Sequence, residues 1–226
     1  MLGATVESVI HDDENVRIVY RTGDAVETMT CDYAIVAVPL SVLHRIEIKP
    51  QISDRQLELM KKIPFRSAVR EFLRMRRPYW KDAGHNGFAI SDTVGEVWDP
   101  HFEEITGPSL LVCYSTGKLA DKIGAMNEEE RISYAVESLE SIFPGATEYF
   151  ESGTSICWCE QSWIEGGWPL ACAEFSNQVK EFRRCEGRLF LAGDYACEPK
   201  WLNALEGALQ SGESAVHEIR QVCGLI

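Results

Sequence analysis

The chain has 226 residues, of which 45% are hydrophobic and 25% are charged, a composition typical of globular proteins. Its formal net charge of −13 argues against nucleic acid and anionic membrane surfaces as partners, because both bind basic faces. No stretch of about 18 consecutive apolar residues occurs, so no membrane span is predicted.

The eight cysteines do not form a pattern typical of a metal site. No Cys-x-x-Cys motif occurs, and the close pair Cys157 and Cys159 has no second pair at zinc-finger spacing. The five histidines are scattered, so no metal site is predicted. Scattered thiols, together with an N-terminus that has no signal-peptide pattern, favour a reducing, cytoplasmic location.

The first fifty residues are predicted to form β-strands. Short runs rich in β-branched residues, Thr5–Ile10, Val16–Arg21 and Glu27–Val38, are separated by turn residues. The end of the third run, Tyr33–Val38, is almost entirely apolar. Such a run is typical of a strand buried on both faces, in a parallel or mixed sheet.

Helices and further strands are predicted along the rest of the chain. The helices are Arg55–Ile63, with Asp54 as its N-cap, and Glu128–Phe143, with Asn127 as its N-cap. The strands are Ala68–Met75, Phe88–Ser91, Glu96–Trp98, Ser109–Ser115 and Leu189–Ala192. This order predicts a mixture of the α+β and α/β classes.

A long C-terminal helix begins at Leu205. Apolar or small residues recur at helical spacing, at Leu205, Ala208, Leu209, Gly212, Ala215, Val216, Ile219 and Val222. Gly207 and Gly212 lie inside this helix, where each glycine costs about 1 kcal/mol relative to alanine. Close backbone packing is the predicted reason for both.

The segment around residues 187–212 carries the clearest chemical pattern: a strand, Gly193, Asp194, a loop, and then the long helix. A helix N-terminus presents unpaired N–H groups, which suit a phosphate or the electron-rich edge of a flavin. A carboxylate after the strand can accept hydrogen bonds from ribose or ribityl hydroxyls, and Gly193 permits a close backbone approach. The alternative is an ordinary strand–helix packing turn with a surface aspartate.

This segment resembles the C-terminal flavin-binding signature of the amine oxidase family, which includes monoamine, polyamine and L-amino-acid oxidases. The matching features are Ala192-Gly193-Asp194, an aromatic residue in the loop, and Glu206-Gly207-Ala208 followed by Ser211-Gly212. The resemblance implies that FAD is the cofactor. It implies flavin contacts at Gly193, Asp194, Trp201, Asn203, Ala204, Leu205 and Glu206.

Three further stretches resemble parts of the same family. By that resemblance Val6 contacts the adenine through its backbone, Trp163 packs on the isoalloxazine edge, and Trp168 lies near the reacting face. Arg70 stands where the family usually has a lysine that holds a water near the flavin N5 atom. Because arginine stays charged and cannot act as a base, the change argues against efficient reaction with oxygen. The alternative for Arg70 is an ordinary cation on a surface strand.

The sequence also departs from the family pattern. It contains no Gly-x-Gly-x-x-Gly motif, the element that cradles the cofactor pyrophosphate. We therefore expect the sequence to be a piece of a larger flavoenzyme, or a chain whose partner supplies that unit.

Many relatives place a cage of two aromatic rings around the amine, and this sequence has only one of the two rings. Trp168 is one wall of the cage, and Ala204 stands at the position of the other. No cysteine lies at the family's attachment position near Trp168, so the resemblance implies non-covalent FAD.

Together these features predict the C-terminal part of a two-lobe FAD-dependent oxidoreductase. Residues 1–50 and 185–226 are expected to form segments of the flavin lobe, and residues 51–184 a substrate lobe with an antiparallel sheet. Ligands are expected where the lobes meet, and the flavin lobe is expected to have an open face. The predicted reaction is hydride transfer from a C–N bond of a small amine, or from an apolar substrate. The alternatives are a carotenoid or terpenoid desaturase-like flavoenzyme and a non-catalytic fragment or subunit.

Overall fold

The computed structural model describes residues 1–53, 56, 58, 63–103, 106–170 and 187–225. The chain divides into two compact units, which we name the terminal unit (Met1–Phe65 with Trp168–Ile226) and the central unit (Arg66–Gly167). The unit boundaries therefore lie inward of the predicted lobe boundaries at 50/51 and 184/185. Most of the predicted helix Arg55–Ile63, including Asp54, lies outside the described residues.

The described part combines many short strands with a few helices. The strands are β1 (Ala4–His11), β2 (Val16–Thr22), β3 (Ala25–Cys31), β4 (Ala34–Val36), β5 (Glu47–Lys49), β6 (Phe65–Arg66), β7 (Ala68–Met75), β8 (Ala89–Ser91), β9 (Gly95–Trp98), β10 (Ser109–Thr116), β11 (Phe150–Cys157), β12 (Trp168–Pro169) and β13 (Leu189–Leu191). The helices are α1 (Leu40–Leu43), α2 (Gly117–Gly124), α3 (Glu128–Ile142), α4 (Ala146–Tyr149) and α5 (Leu205–Val222). Short 3-10 turns cover Tyr79–Ala83, Trp158–Glu160 and Pro199–Trp201.

The terminal unit contains a sheet with strand order β3-β2-β1-β5, in which the first three strands are antiparallel and β5 runs parallel to β1. The predicted strands Thr5–Ile10 and Val16–Arg21 are thus confirmed. The predicted single strand Glu27–Val38 is wrong, because a bend at Asp32 divides it into β3 and β4. These two strands join different sheets, which a run of strand-forming residues does not reveal.

The short strands β4 and β13 pair in parallel, with Ala34 opposite Leu189 and Val36 opposite Leu191. The prediction that the strand within Tyr33–Val38 is buried on both faces is only half right. Val36 is buried, whereas Ile35, which points to the other face, is 39% exposed. The buried face joins the core of the terminal unit, which contains Val9, Val16, Val36, Leu40, Leu43, Ile48, Ile52, Ile63, Leu189, Leu191, Tyr195 and Ala196.

The central unit is built on a five-stranded antiparallel sheet with the order β11-β7-β10-β9-β8. One face packs against α3 through a core that includes Leu73, Leu111 and Leu139. The predicted N-cap of α3 is confirmed: Asn127 accepts from the Glu130 N–H, and the Glu130 side chain accepts from the Asn127 N–H. This reciprocal pair satisfies two donors that a helix start otherwise leaves unpaired.

Helix α5 confirms the predicted C-terminal helix, but of the residues that recur at helical spacing only Ala215 is buried. Its buried residues are the small ones, Gly207, Ser211 and Ala215, which line one stripe at intervals of one turn. The apolar residues Leu205 and Leu209 are 94% and 58% exposed. The spacing of the hydrophobic residues therefore predicts where the helix lies. Its buried residues are small because neighbouring backbone approaches the helix closely there.

Candidate functional site

In the terminal unit, Asp194 and the turn before α5 are joined by backbone contacts. The Asn203 N–H donates to the Asp194 carbonyl oxygen at 3.3 Å. Asn203 has φ 62°, the left-handed region that asparagine tolerates better than most residues. Its side-chain Nδ2 donates to the Pro169 carbonyl at 2.9 Å, which fixes the orientation of the amide group. The strand end and the start of α5 thus form one connected polar turn.

Gly193 is joined to α5 by hydrogen bonds. Its N–H donates to the Ser211 hydroxyl at 2.9 Å, and that hydroxyl is also 2.9 Å from the carbonyl oxygens of Gly193 and Ala208. Gly193 has φ 148°, and a Cβ there would lie 2.5 Å from the Tyr195 ring. The position therefore requires glycine, as the sequence pattern predicts.

The start of α5 leaves donor groups unused. The N-cap residue is Ala204, whose side chain cannot accept a hydrogen bond. Gly207 and Ala208 both donate to the Ala204 carbonyl, at 3.0 and 3.2 Å. Within the described residues, the N–H groups of Leu205 and Glu206 have no hydrogen-bond partner. These two N–H groups carry the partial positive charge of a helix N-terminus and can bind an electron-rich group.

Two side chains beside these donors supply acceptors. The Asn203 Oδ1 atom is buried, and no described residue donates to it. A buried amide oxygen without a donor costs free energy unless a ligand or water satisfies it. Burial raises the pKa of the Asp194 carboxyl, opposed by the backbone N–H groups of Asp194 and Tyr195. A flat heterocycle that carries both donors and acceptors on its edge fits this set, so the residues present suit a flavin.

Two other cofactor residues proposed from sequence, Val6 and Trp201, lie in the same unit. Val6 is in β1, where the pairing register with β2 shifts between Val6 and Ser8. Val6 and Leu202 pack against the same hydrophobic core, which also contains Tyr195. Trp201 is 38% exposed, and its carbonyl accepts from the Ala204 N–H at 3.1 Å.

In the central unit, Arg70 lies on β7 beside two aromatic rings. Its guanidinium carbon is 4.6 Å from the centre of the Tyr114 ring and 5.4 Å from that of the Trp98 ring. The two rings meet edge to face, with centroids 6.4 Å apart. Sequence analysis missed both rings as neighbours of Arg70. The direct pairing of Arg70 with Tyr114 across β7 and β10 is a long-range contact with no local sequence signal.

The residue next to Arg70 is a buried acid on the opposite face of the sheet. Glu71 is fully buried, and neither carboxyl oxygen has a hydrogen-bond partner within the described residues. Burial raises its pKa to about 7, and the charge of Arg131 opposes the shift. Glu71 also raises the pKa of Cys113, its partner across the strands, although burial is the larger cause there. Sequence analysis did not single out this residue.

Trp163 and Trp168, both proposed from sequence, fall in different units. Trp163 lies in a turn of the central unit and is 58% exposed. The turn is closed by backbone bonds from Ile164 and Glu165 to the Gln161 carbonyl, both at 2.9 Å. Trp168 is half-buried in β12 of the terminal unit. That these residues share one site with Arg70 stays a prediction.

Comparison with known proteins extends the resemblance to almost the whole chain. The profile of the family described as "Flavin containing amine oxidoreductase" matches residues 1–220. The flavin-dependent L-tryptophan oxidase RebO of Lentzea aerocolonigenes is 27% identical over 96% of this chain and 47% of its own length. The L-amino acid dehydrogenase of Synechocystis is 24% identical over 97% of this chain and 46% of its own length. The chain thus spans about half the length of the curated relatives it matches.

Solved structures show the same fold. A putrescine oxidase variant superposes with a TM-score of 0.82 at 20% identity, covering 96% of this chain and 48% of that chain. Cyclohexylamine oxidase from Brevibacterium oxydans gives 0.81 at 18% identity, covering 97% and 48%. These matches confirm the predicted fold class: a mixed α and β part of a flavin-dependent amine oxidase structure.

None of the described helices combines the length and apolar character that a membrane crossing needs. The match to the family profile covers nearly every residue. The chain therefore belongs to the flavin containing amine oxidoreductase family.

Proposed function

We propose that this chain forms part of an FAD-dependent oxidoreductase that oxidises a C–N bond of a small substrate. The observation that carries the proposal is the start of α5, where two backbone N–H groups without partners lie beside the unsatisfied Asn203 Oδ1 atom. The family match supports the cofactor class, and the names of the relatives, among them an L-tryptophan oxidase and a polyamine oxidase, support the substrate class.

In this proposal the terminal unit holds the flavin without a covalent bond. The N–H groups of Leu205 and Glu206 donate to an electron-rich edge of the ring system, and Asn203 accepts from an N–H group. Asp194 accepts hydrogen bonds from hydroxyl groups of the cofactor. When bound, the flavin supplies the redox step, because it accepts a hydride from the substrate carbon next to nitrogen. The pyrophosphate contacts come from outside these 226 residues, since the sequence contains no Gly-x-Gly-x-x-Gly motif.

The residues proposed to act on the substrate have simple physical roles. Arg70 is a fixed positive charge and does not remove a proton, because its guanidinium stays protonated at any pH relevant to catalysis. A neutral amine can donate hydride without a general base, so the mechanism needs none from this chain. Trp168 supplies an apolar wall. Arginine at the position of the family lysine favours an electron acceptor other than oxygen.

A proline substitution at the first position of α5 tests the cofactor site. Proline is tolerated at the first position of a helix, where it removes an N–H group and leaves the helix in place. Ala204 has φ −110° and ψ 151°, the extended conformation that a residue before proline requires. Leu205→Pro should therefore delete one proposed flavin donor without unfolding the helix, and Leu205→Ala is the matched control that keeps the donor.

The measurement is titration of the purified chain with FAD, followed by the visible spectrum and by fluorescence anisotropy. The unsubstituted chain and Leu205→Ala should bind FAD alike, while Leu205→Pro should bind about tenfold more weakly, the effect expected for one lost hydrogen bond of about 1.4 kcal/mol. Circular dichroism should show equal helix content in all three. Equal affinity of the three proteins for FAD would contradict the proposed site.

A further inference from the structure

Glu71 lies in a buried polar region of the central unit. It is on β7, with Cys113 of β10 directly opposite on one side and Ser155 of β11 directly opposite on the other. The Glu71 carboxyl is fully buried, and neither of its oxygens accepts a hydrogen bond within the described residues. The hydroxyls of Ser155 and Ser115, buried on the same face of the sheet, have no partner there either. Such surroundings favour the protonated form of the carboxyl over the ionised form.

Arg131, near the start of α3, is a cation that acts on this region. Its side chain is only 3% exposed, and one terminal nitrogen donates to the Gly124 carbonyl at 3.0 Å and pairs with Glu160. Its Nε atom is buried and makes no hydrogen bond within the described residues. Burial raises the pKa of Glu71 to about 7, and the positive charge of Arg131 opposes that rise. Arg131 also acts on Glu128, an exposed acid whose carboxyl accepts hydrogen bonds from β11.

The other titratable groups packed around Glu71 are neutral. Cys113 and Cys157 come from β10 and β11, and burial raises the pKa of both thiols. Tyr134 of α3 packs against the hydrophobic clusters on both sides of Glu71, and its hydroxyl accepts from Lys122 Nζ at 3.3 Å. The buried residues of α2, which covers the same face, are apolar. The charge of Glu71 therefore depends on burial and on the guanidinium of α3.

Glu160 connects Arg131 to a turn at the surface. It is the last residue of a 3-10 turn, and its side chain is 55% exposed. The first residue of that 3-10 turn, Trp158, accepts from the N–H groups of Gln161 and Gly166 at 3.3 and 3.2 Å. These bonds close the segment from Gln161 to Gly166, which we name the surface turn. The pair of Arg131 and Glu160 thus attaches the surface turn to α3.

We propose that Glu71 and Glu160 compete for the guanidinium of Arg131, so that a proton on Glu71 strengthens the attachment of the surface turn and loss of that proton weakens it. When Glu71 is neutral, Arg131 pairs with Glu160. When Glu71 ionises, its buried charge attracts the guanidinium through the unpaired Nε–H group, and the two carboxylates repel each other. Both effects weaken the contact at Glu160. The device is a pH-sensitive contact that needs neither a flavin nor a substrate.

The first test measures how tightly Glu71 binds its proton. Carbon-13 NMR follows the labelled glutamate carboxyls from pH 5 to pH 9, with the Glu71 signal assigned through its connected backbone atoms. Glu160→Gln frees Arg131 and should weaken proton binding by Glu71 about tenfold, because a nearby positive charge favours the ionised form. Glu151→Gln is the matched control, since Glu151 pairs with Arg74 on the other face of the same strand. It should leave the proton affinity of Glu71 unchanged.

The second test measures hydrogen exchange of the surface turn at pH 6 and pH 8, corrected for the intrinsic effect of pH on exchange. Because coupling between two sites is reciprocal, ionisation of Glu71 should lower the protection of these amides by up to about tenfold. Glu71→Gln stays neutral and should give the same protection at both pH values, at the level of the unsubstituted chain at pH 6. Melting temperatures show whether each variant is folded.

Three results would overturn the proposal. They are the absence of a Glu71 titration between pH 5 and pH 9, an unchanged proton affinity of Glu71 in folded Glu160→Gln, and a pH-dependent exchange of the surface turn that persists in folded Glu71→Gln. The titration in Glu160→Gln changes only an exposed side chain. It therefore decides the question even where Glu71→Gln fails to fold.

Discussion

The hydroxyl of Ser211 lies 2.9 Å from both the backbone nitrogen and the carbonyl oxygen of Gly193, and so ties the middle of α5 to the residue before Asp194. Ser211→Ala removes this contact and leaves the Gly193 N–H without its acceptor. We expect the free energy of unfolding to fall by about 1 to 2 kcal/mol. Ser214→Ala, a half-buried position one turn along the helix, is the control for the loss of a hydroxyl. Chemical denaturation measures both, and equal stability of the two variants would contradict the role of Ser211.

The two glycines of α5 are expected to respond in opposite directions to alanine. A Cβ on Gly207 would lie 2.2 Å from the Trp201 carbonyl oxygen and 2.6 Å from the Cys197 sulfur, whereas a Cβ on Gly212 meets nothing within 4 Å. Gly207→Ala should destabilise the chain by about 2 kcal/mol or more, because backbone must move. Gly212→Ala should stabilise it by up to about 1 kcal/mol through helix propensity. Thermal unfolding of both variants provides the comparison, and a change of the same sign in both would disprove this account.

Glu71 is expected to make stability fall with rising pH. Burial raises the folded-state pKa from the ordinary 4.5 to about 7, so between these values the folded chain keeps a proton that the unfolded chain releases. Stability from this residue is therefore greatest below pH 4.5, declines as pH rises towards 7, and is constant above that. The full effect is at most about 3 kcal/mol.

Glu71→Gln removes this dependence, because the amide does not titrate. The difference in melting temperature between Glu71→Gln and the unsubstituted chain should grow in favour of the variant from pH 5 to pH 8. Glu137→Gln, on the exposed side of α3, is the matched control for replacing a carboxyl by an amide. If the difference at Glu71 were independent of pH, the carboxyl would already be ionised in the folded chain at pH 5.

Elements set by local chemistry could be predicted from the sequence, and elements set by distant contacts could not. The Asn127 cap and the turn residue Gly193 follow from signals within a few positions, and the structure has both. The break after β3 was missed because each half of Glu27–Val38 favours a strand, and only their different partner strands separate them. The buried stripe of α5 does not follow from hydrophobic spacing for a similar reason, since its close contacts with Gly193, Cys197 and Trp201 admit only small residues.

The candidate site likewise has a part that local sequence signals predict and a part that depends on distant contacts. Asp194 and the start of α5 are adjacent in sequence, so the pattern was visible. The cluster around Arg70 is made by three strands, and its aromatic members, Trp98 and Tyr114, come from positions that no local motif connects to Arg70. The burial of Glu71 likewise follows from the helices that cover its face of the sheet.

The parallel pairing of β4 with β13 joins segments roughly 150 residues apart, with the whole central unit between them. A ribosome adds about 5 to 20 residues per second, so β13 is synthesised about 8 to 30 seconds after β4. The continuous segment Arg66–Gly167 emerges complete in that interval and can collapse first. Until β13 emerges, β4 has no partner strand, and an unpaired strand edge is a place where strands of other chains can pair.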